Sequence, residues 1–292
     1  MYAAISGFGQ TGPQRLKPVF DVVVQAMSGA MSVTGEEGGP PVKPGLSLGD
    51  IGAGMFAAIG VLAALQERER SGRGQQVDVS MLDSQVALLE NAFARYFAPG
   101  ETPRALGTRH PTATPFEAFP TRDGYIAVAV SFNVENAWPL FAAIIGRPEL
   151  IDDPRFATAS ARTRNRAQLE PLIVAALRQR STAEWLEELE AVGIACGPVL
   201  SIAEAAALPL VLAREMLVET ESAGGAPLTL VGPPVKLSRT PAAVRGRAPR
   251  PGEHTRSVLA TLLGLSEPEI EAAFASGAVA EGQSLPEEVR EG

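Results

Sequence analysis

The stretch SLGDIGAGMFAA sets one carboxylate, Asp50, among residues with almost no side-chain bulk: Gly49, Gly52, Ala53 and Gly54. A carboxylate is a weak nucleophile, but it forms covalent intermediates when it is positioned and drawn out of water. The apolar run after it predicts a helix with Asp50 as its N-cap. The helix amides would favour the anion there by about 0.3–1 kcal/mol. Aspartate is also an ordinary capping residue, and one side chain can serve both roles. The small neighbours leave room for a bulky electrophile to approach.

A second pattern lies at the start of the chain. Tyr2 to Ser6 reads as the end of a buried strand, and Gly7, Gly9 and Gly12 match the G-x-G-x-x-G dinucleotide pattern. That pattern needs a helix opening directly after the glycines and an acidic residue about 20 positions on for the ribose. Pro13 and Pro18 bracket a stretch too short for that helix, Asp21 comes too early, and Glu36 lies beyond a second predicted helix. The glycines therefore read as a tight turn whose amides could still touch an anion.

The other chemistry-bearing residues are few. Arg15 and Lys17 could hold a phosphate. His110 is a loop histidine, and His254 is expected to cap a late helix. Arg73 reads as part of a turn, Cys196 as a small buried hydrophobe, and Trp138 and Trp185 as packing residues. One cysteine allows no intrachain disulfide, and with two histidines a structural zinc site is not expected. A net charge of −8 argues against nucleic acid as a partner, because phosphate neutralisation needs a basic face. The first residues lack the pattern of a secretory signal, and the apolar stretch from Ile51 to Leu65 is short for a membrane span. The expectation is a cytoplasmic protein with neither membrane nor nucleic acid as partner.

The elements that must position these residues alternate in type. With 292 residues, 46% of them hydrophobic and 20% charged, the chain can bury a large core. Helices are expected over 20–34, from Asp50 to the QERER segment with a stop at Gly72–Gly74, over 82–97, at several places in 134–192, and at GEHTRSVLATLLG. Strands are expected at 2–6, in QQVDVSM, on either side of the Asp123-Gly124 turn, around Cys196 and in APLTLVGPPVKLS. GEEGGPPVKPG reads as a loop, residues 101–112 as a linker, and the segment from Glu281 as a polar tail. The class is α/β or α+β.

ISGFGQTGP, FDVVVQAMSGAMSVTG, GDIGAG and ERERSGRGQQVDVSMLD together resemble the family III CoA-transferases (the CaiB/BaiF family). GTRHPTATPFEAFPTRDGYIAVAV, DDPRFAT, CGPVLS and GEHTRSVLATLLG extend the similarity over nearly the whole chain. The family includes formyl-CoA transferase and α-methylacyl-CoA racemase. The resemblance implies an α/β fold: a Rossmann-like large lobe, here partial, plus a smaller α+β lobe, in an interlocked homodimer. Residues 1–100 would be the remainder of the large lobe, 101–112 a linker, 113–212 the small lobe, and 213–292 a segment returning to the large lobe, ending in the polar tail.

It also implies that relatives carry about 100 more residues before this point, roughly one domain's worth. A valine codon read as a start, or a real truncation, would account for that. A chain lacking the segment is expected to be poorly soluble or inactive, because open strand edges invite aggregation.

The chemistry implied is CoA transfer from an acyl-CoA donor to a small carboxylic acid through an aspartyl-CoA thioester on Asp50. The CoA thioester is a substrate, and no cofactor is held permanently. The residues implied around substrate or CoA are Lys17, Phe20, Gly49, Gly52, Gly107 and His110. The racemase branch places a histidine at the Phe20 position and a glutamate near Asn133, so two proton carriers are missing and transfer is favoured over racemisation. Formyl-CoA transferase has a tyrosine at the Phe20 position and a glycine-rich loop where this chain has GTRHPTATP, which points away from oxalate or formate. A racemase and a non-catalytic truncated paralogue are the alternatives.

Overall fold

A computed structural model of the chain describes residues 1–98, 101–130, 135–222, 224–280 and 282. The chain divides into two compact units, Met1–Val199 and Leu200–Gly292.

The first unit opens with β1 (Tyr2–Ser6), α1 (Asp21–Ser28), α2 (Leu48–Ser71), β2 (Gln76–Ser80), α3 (Met81–Leu88) and α4 (Glu90–Phe97). β1 and β2 pair in parallel, from Tyr2 opposite Gln76 to Ser6 opposite Ser80. A parallel pair needs a long crossover, which α1 and α2 supply. β1 was expected to be buried, but Tyr2, Ala3 and Ile5 are exposed. The helix expected over 20–34 stops at Gly29, whose φ of 94° is left-handed, and a short 3-10 turn, Ala30–Ser32, follows. The helix expected over 82–97 is interrupted at Leu89, with φ −92° and ψ 24°. No glycine or proline marks that break. α3 is capped by Ser80, whose hydroxyl accepts from the Asp83 N–H at 3.1 Å.

α2 has 24 residues and is, by length and composition, long enough to cross a membrane, which corrects the shorter apolar span expected from Ile51 to Leu65. It packs on β2, α3 and α1. Gly72 ends it at φ 70°, its N–H donating to the Arg68 carbonyl.

The unit continues with β3 (Phe116–Pro120), β4 (Tyr125–Ala129), α5 (Ala137–Ile144), α6 (Ala159–Arg164), α7 (Arg166–Leu177), α8 (Thr182–Ala191) and β5 (Ala195–Pro198). The strands form one antiparallel sheet in the order β3-β4-β5. The Asp123-Gly124 turn joins β3 to β4 as expected. On β4, Ile126 and Val128 are buried while Tyr125 and Ala127 face outward, the period-2 alternation of a half-covered sheet. Leu169, Ile173 and Leu177 on α7 repeat every four residues and meet Phe141 of α5 and Trp185 of α8 in one core.

The second unit contains α9 (Ile202–Ala206), α10 (Pro209–Ala213), β6 (Leu217–Glu221), β7 (Pro227–Val231), α11 (Thr255–Thr261) and α12 (Glu267–Ala275). β6 and β7 form an antiparallel pair, Leu217 opposite Val231. His254 precedes α11 at the N-cap position, but its side chain makes no capping bond, contrary to expectation.

Candidate functional site

The N-terminal end of α2 departs from the sequence reading in a way that matters for Asp50. Ser47 occupies the N-cap position without a side-chain bond, so Asp50 is the third helical residue and not the cap. The second amide of the helix, Gly49 N–H, donates to Asp21 Oδ1 at 2.8 Å. Asp21 is the first residue of α1 and is buried. Its other oxygen accepts from Gln25 Nε2 at 2.6 Å and lies 3.6 Å from Lys43 Nζ. A carboxylate from a neighbouring helix thus does the capping.

Asp50 is thereby left exposed, with no hydrogen bond or ion pair among the described residues. It still lies in the first turn, where helix amides favour an anion. One turn on is Gly54, where an added Cβ would meet nothing within 4 Å. The space on that face is open.

Gly49 and Gly52 lie elsewhere. Both are buried against α3: a Cβ on Gly49 would come within 2.7 Å of Gln85 Nε2, and one on Gly52 within 3.0 Å of Leu88 Cδ1. Their small size lets α2 and α3 approach closely. Spaced three apart with Ala53 next, they form the packed stripe of α2, with Asp50 and Gly54 off it. A polar network continues inward: Ser28 Oγ donates to Gln85 Oε1 at 2.8 Å, and Gln25 Nε2 also donates to the Leu46 carbonyl at 2.9 Å.

Phe20 is 80% exposed and directly precedes Asp21. Since Asp21 binds the amide of Gly49, which directly precedes Asp50, the fold brings Phe20 to the same end of α2. Lys17 is exposed, its ammonium 5.8 Å from the centre of the Phe8 ring. The glycine turn is closed by the chain itself, as Gln10 N–H donates to Asp78 Oδ2 at 2.9 Å. An internal carboxylate occupies the amide that a phosphate would need.

Gly107 and His110 belong to a turn docked on the loop between α1 and α2. Gly107, at φ 65°, donates its N–H to the Gly35 carbonyl at 2.8 Å. His110 Nδ1 accepts from Thr112 N–H at 3.2 Å, and its ring packs 4.9 Å from that of Phe116. No described contact joins either residue to Asp50. Asn133 lies outside the described residues.

Arg109, passed over in the sequence, organises this turn. Its guanidinium makes two 2.8 Å bonds to Glu170 and lies 3.6 Å from both Glu37 and Glu117. Glu117 is buried, and its Oε1 has no hydrogen-bond partner among the described residues. Burial, reinforced by the nearby Glu170 carboxylate, pushes its carboxyl up to about 7. Burial likewise raises the Cys196 thiol. Among the described residues no group of three or more His, Cys, Asp or Glu side chains is placed to hold a metal ion.

The family model for CoA-transferase family III matches residues 1–255. The chain is 34% identical over 279 residues to succinyl-CoA:glutarate CoA-transferase of Mus musculus, covering 96% of this chain and 64% of that one. It is 40% identical over 239 residues to acetyl-CoA:oxalate CoA-transferase of Acetobacter aceti, covering 82% and 60%. It thus spans less than two thirds of the length of these curated relatives. The solved structure of a CaiB/BaiF family protein from Brucella suis superposes with a TM-score of 0.76 at 32% identity, covering 90% of this chain and 68% of that one. By the match over residues 1–255 and these relatives, the chain belongs to CoA-transferase family III.

Proposed function

We propose that the chain is a CoA-transferase that moves CoA from an acyl-CoA donor to a carboxylic acid, with Asp50 as the nucleophile. The supporting observation is the division of labour between two aspartates. Asp21 caps α2, so the Asp50 carboxylate stands free in the first turn beside the open face at Gly54.

The proposed sequence conserves every atom. An Asp50 oxygen attacks the donor thioester carbonyl, the C–S bond breaks, and a mixed anhydride and CoA thiolate result. The thiolate attacks the aspartyl carbon of the anhydride, forming the aspartyl-CoA thioester and releasing the donor acid as a carboxylate. The acceptor carboxylate attacks that thioester, giving a new anhydride and the thiolate. Attack of the thiolate on the acceptor carbon yields the new acyl-CoA and restores Asp50. No step needs an external oxidant or a net proton. The first-turn amides favour negative charge at Asp50 in the resting state. Removal of a proton α to the thioester is not part of the proposal, since Phe20 carries no titratable group.

Lys17, Phe20 and His110 remain the proposed neighbours of substrate. The apolar side chains left open on α2, among them Ile51, Met55, Ile59 and Leu62, support a homodimer as the working form. The relatives named for glutarate and oxalate suggest small acids as acceptors.

The test is a transfer assay, run on the 292-residue chain and on a form extended by any in-frame upstream segment, with succinyl-CoA or acetyl-CoA against glutarate, oxalate and acetate, the acyl-CoA products being separated by chromatography. A new acyl-CoA made by the extended form, and lost from it in Asp50→Ala, is expected. Transfer that persists in that variant overturns the assignment of Asp50.

A further inference from the structure

We propose that Arg109 and the buried Glu117 form a proton-controlled latch on the loop that leads into α2. With Glu117 protonated, Arg109 reaches across to Glu37 and holds the loop. When Glu117 releases its proton to water, Arg109 is drawn inward and the loop is freed. The latch is independent of the CoA-transfer reading, and its test reads hydrogen exchange.

The loop between α1 and α2 is tied at both ends. Near α2, the Leu46 carbonyl accepts from Gln25 Nε2, and Lys43 Nζ lies beside Asp21. Near α1, the loop meets the turn 107–110: Gly107 N–H donates to the Gly35 carbonyl at 2.8 Å, and Arg109 Nη1 lies 3.6 Å from Glu37 Oε2. The same guanidinium also faces inward. Nε and Nη2 each donate to Glu170 on α7 at 2.8 Å, and Nε lies 3.6 Å from Glu117 Oε2 on β3. One cation thus stands between an outer carboxylate, Glu37, with its side chain 68% exposed, and an inner one, Glu117, with its side chain 5% exposed.

Charge decides which way it leans. Arg166 lies 3.6 Å from Glu170, so with Glu117 protonated two arginines face two carboxylates, Glu170 and Glu37. Ionised Glu117 adds a buried negative charge whose Oε1 has no hydrogen-bond partner among the described residues, and burying such a charge is costly. Arg109 can offset that cost by approaching, because its 3.6 Å contact with Glu117 is longer than a hydrogen bond. Shortening it moves the guanidinium away from Glu37. Burial and the Glu170 carboxylate hold the Glu117 carboxyl at about 7, above its unfolded value, so the latch is closed at lower pH and opens as pH rises through neutrality.

The other titratable groups around Glu117 do not replace it. β4 presents Val128 opposite Glu117, and Cys196 of β5 follows beyond it. Burial raises that thiol, so it stays neutral over this range. Glu36 lies beside Gly107. His110 follows Arg109 in the turn, with its ring against Phe116, and histidine changes charge near neutral pH. The test therefore separates Glu117 from His110.

Hydrogen exchange of the full chain, read by mass spectrometry and corrected for the intrinsic rate at each pH, follows peptides covering residues 35–47 and 105–110, with an α8 peptide as reference. Protection of the first two is expected to fall about tenfold between pH 6 and pH 8, the size of one pKa unit of coupling, while that of α8 stays constant. Glu117→Gln, uncharged at both pH values and with His110 in place, should keep the high protection throughout. Glu37→Gln, at an exposed position, removes the carboxylate that Arg109 lets go and should give the low protection at both. Should Glu117→Gln unfold, Glu37→Gln carries the test. Protection that does not change with pH in the wild type, or a pH dependence that persists in either variant, would overturn the proposal.

Discussion

Residues 1–97 and residues 116–198 are stabilised in different ways. The second segment closes a core of aromatic and aliphatic side chains from one sheet face and α5, α7 and α8. In the first segment the buried apolar cluster is Val24, Ala53 and Met81, while Ile51, Met55, Ile59 and Leu62 of α2 are each more than half exposed. What fixes the end of α2 is polar and steric: the Asp21 carboxylate on Gly49, the Gln25 and Ser28–Gln85 bonds, and glycines that admit α3. A reactive group can be positioned without a large core when a buried network fixes the helix that carries it.

The sharpest way to break this contrast is to truncate one residue from each segment. Phe141→Ala removes a fully buried ring and should cost about 3–5 kcal/mol in denaturant unfolding. Asp21→Ala removes a cap worth about 0.5–2 kcal/mol and leaves one of the two N–H donors of the buried Gln25 amide unpaired, at a further cost of about 1–3 kcal/mol, the other still donating to the Leu46 carbonyl. It should lower the unfolding midpoint nearly as much as a core deletion, although Asp21 packs in no large apolar core. If its cost is that of a surface residue, the polar network is not what holds the first segment.

Glu117 gives a smaller, pH-dependent effect. Its carboxyl is raised from 4.5 to about 7 in the folded protein, so the folded state holds the proton more tightly than the unfolded chain. Stability should therefore be greatest below pH 4.5 as far as this group is concerned, and fall as pH rises to about 7, by about 1–3 kcal/mol. Glu117→Gln should flatten that slope in melting curves recorded across the range. An unchanged slope would show that another group sets it. Asp50→Asn should be the least costly, within about 0.5 kcal/mol, because its carboxylate holds nothing in place. A loss comparable to that of Asp21→Ala would mean Asp50 is structural.

Much of this arrangement was legible before the structure. The Asp123-Gly124 turn gives the hairpin, and Gly72 gives the end of α2, because both are local backbone signals. Asp50 stood out by its neighbours, but its capping role did not hold: the cap comes from Asp21, 28 positions from Gly49, and no local pattern reports a bond of that separation. Gly29 ended α1 where the apolar periodicity ran on, a helix-stopping residue outweighed by the residues around it. Gly49 and Gly52 looked like room for a substrate and proved to be room for α3. Spacing alone cannot say which face of a helix its glycines occupy. Arg109 carried no sequence signal, since the carboxylates it faces, Glu37, Glu117 and Glu170, come from three separate stretches of the chain.

The most direct measurement is the mass of the intact protein after mixing with succinyl-CoA or acetyl-CoA, followed by hydroxylamine or borohydride trapping and peptide mapping. A CoA-sized adduct on the wild-type protein extended by any in-frame upstream segment, a trapped modification that maps to Asp50, and neither in Asp50→Asn with its fold intact are expected. A modification at another carboxylate, or no adduct on a folded protein that binds CoA, would contradict the assignment of Asp50.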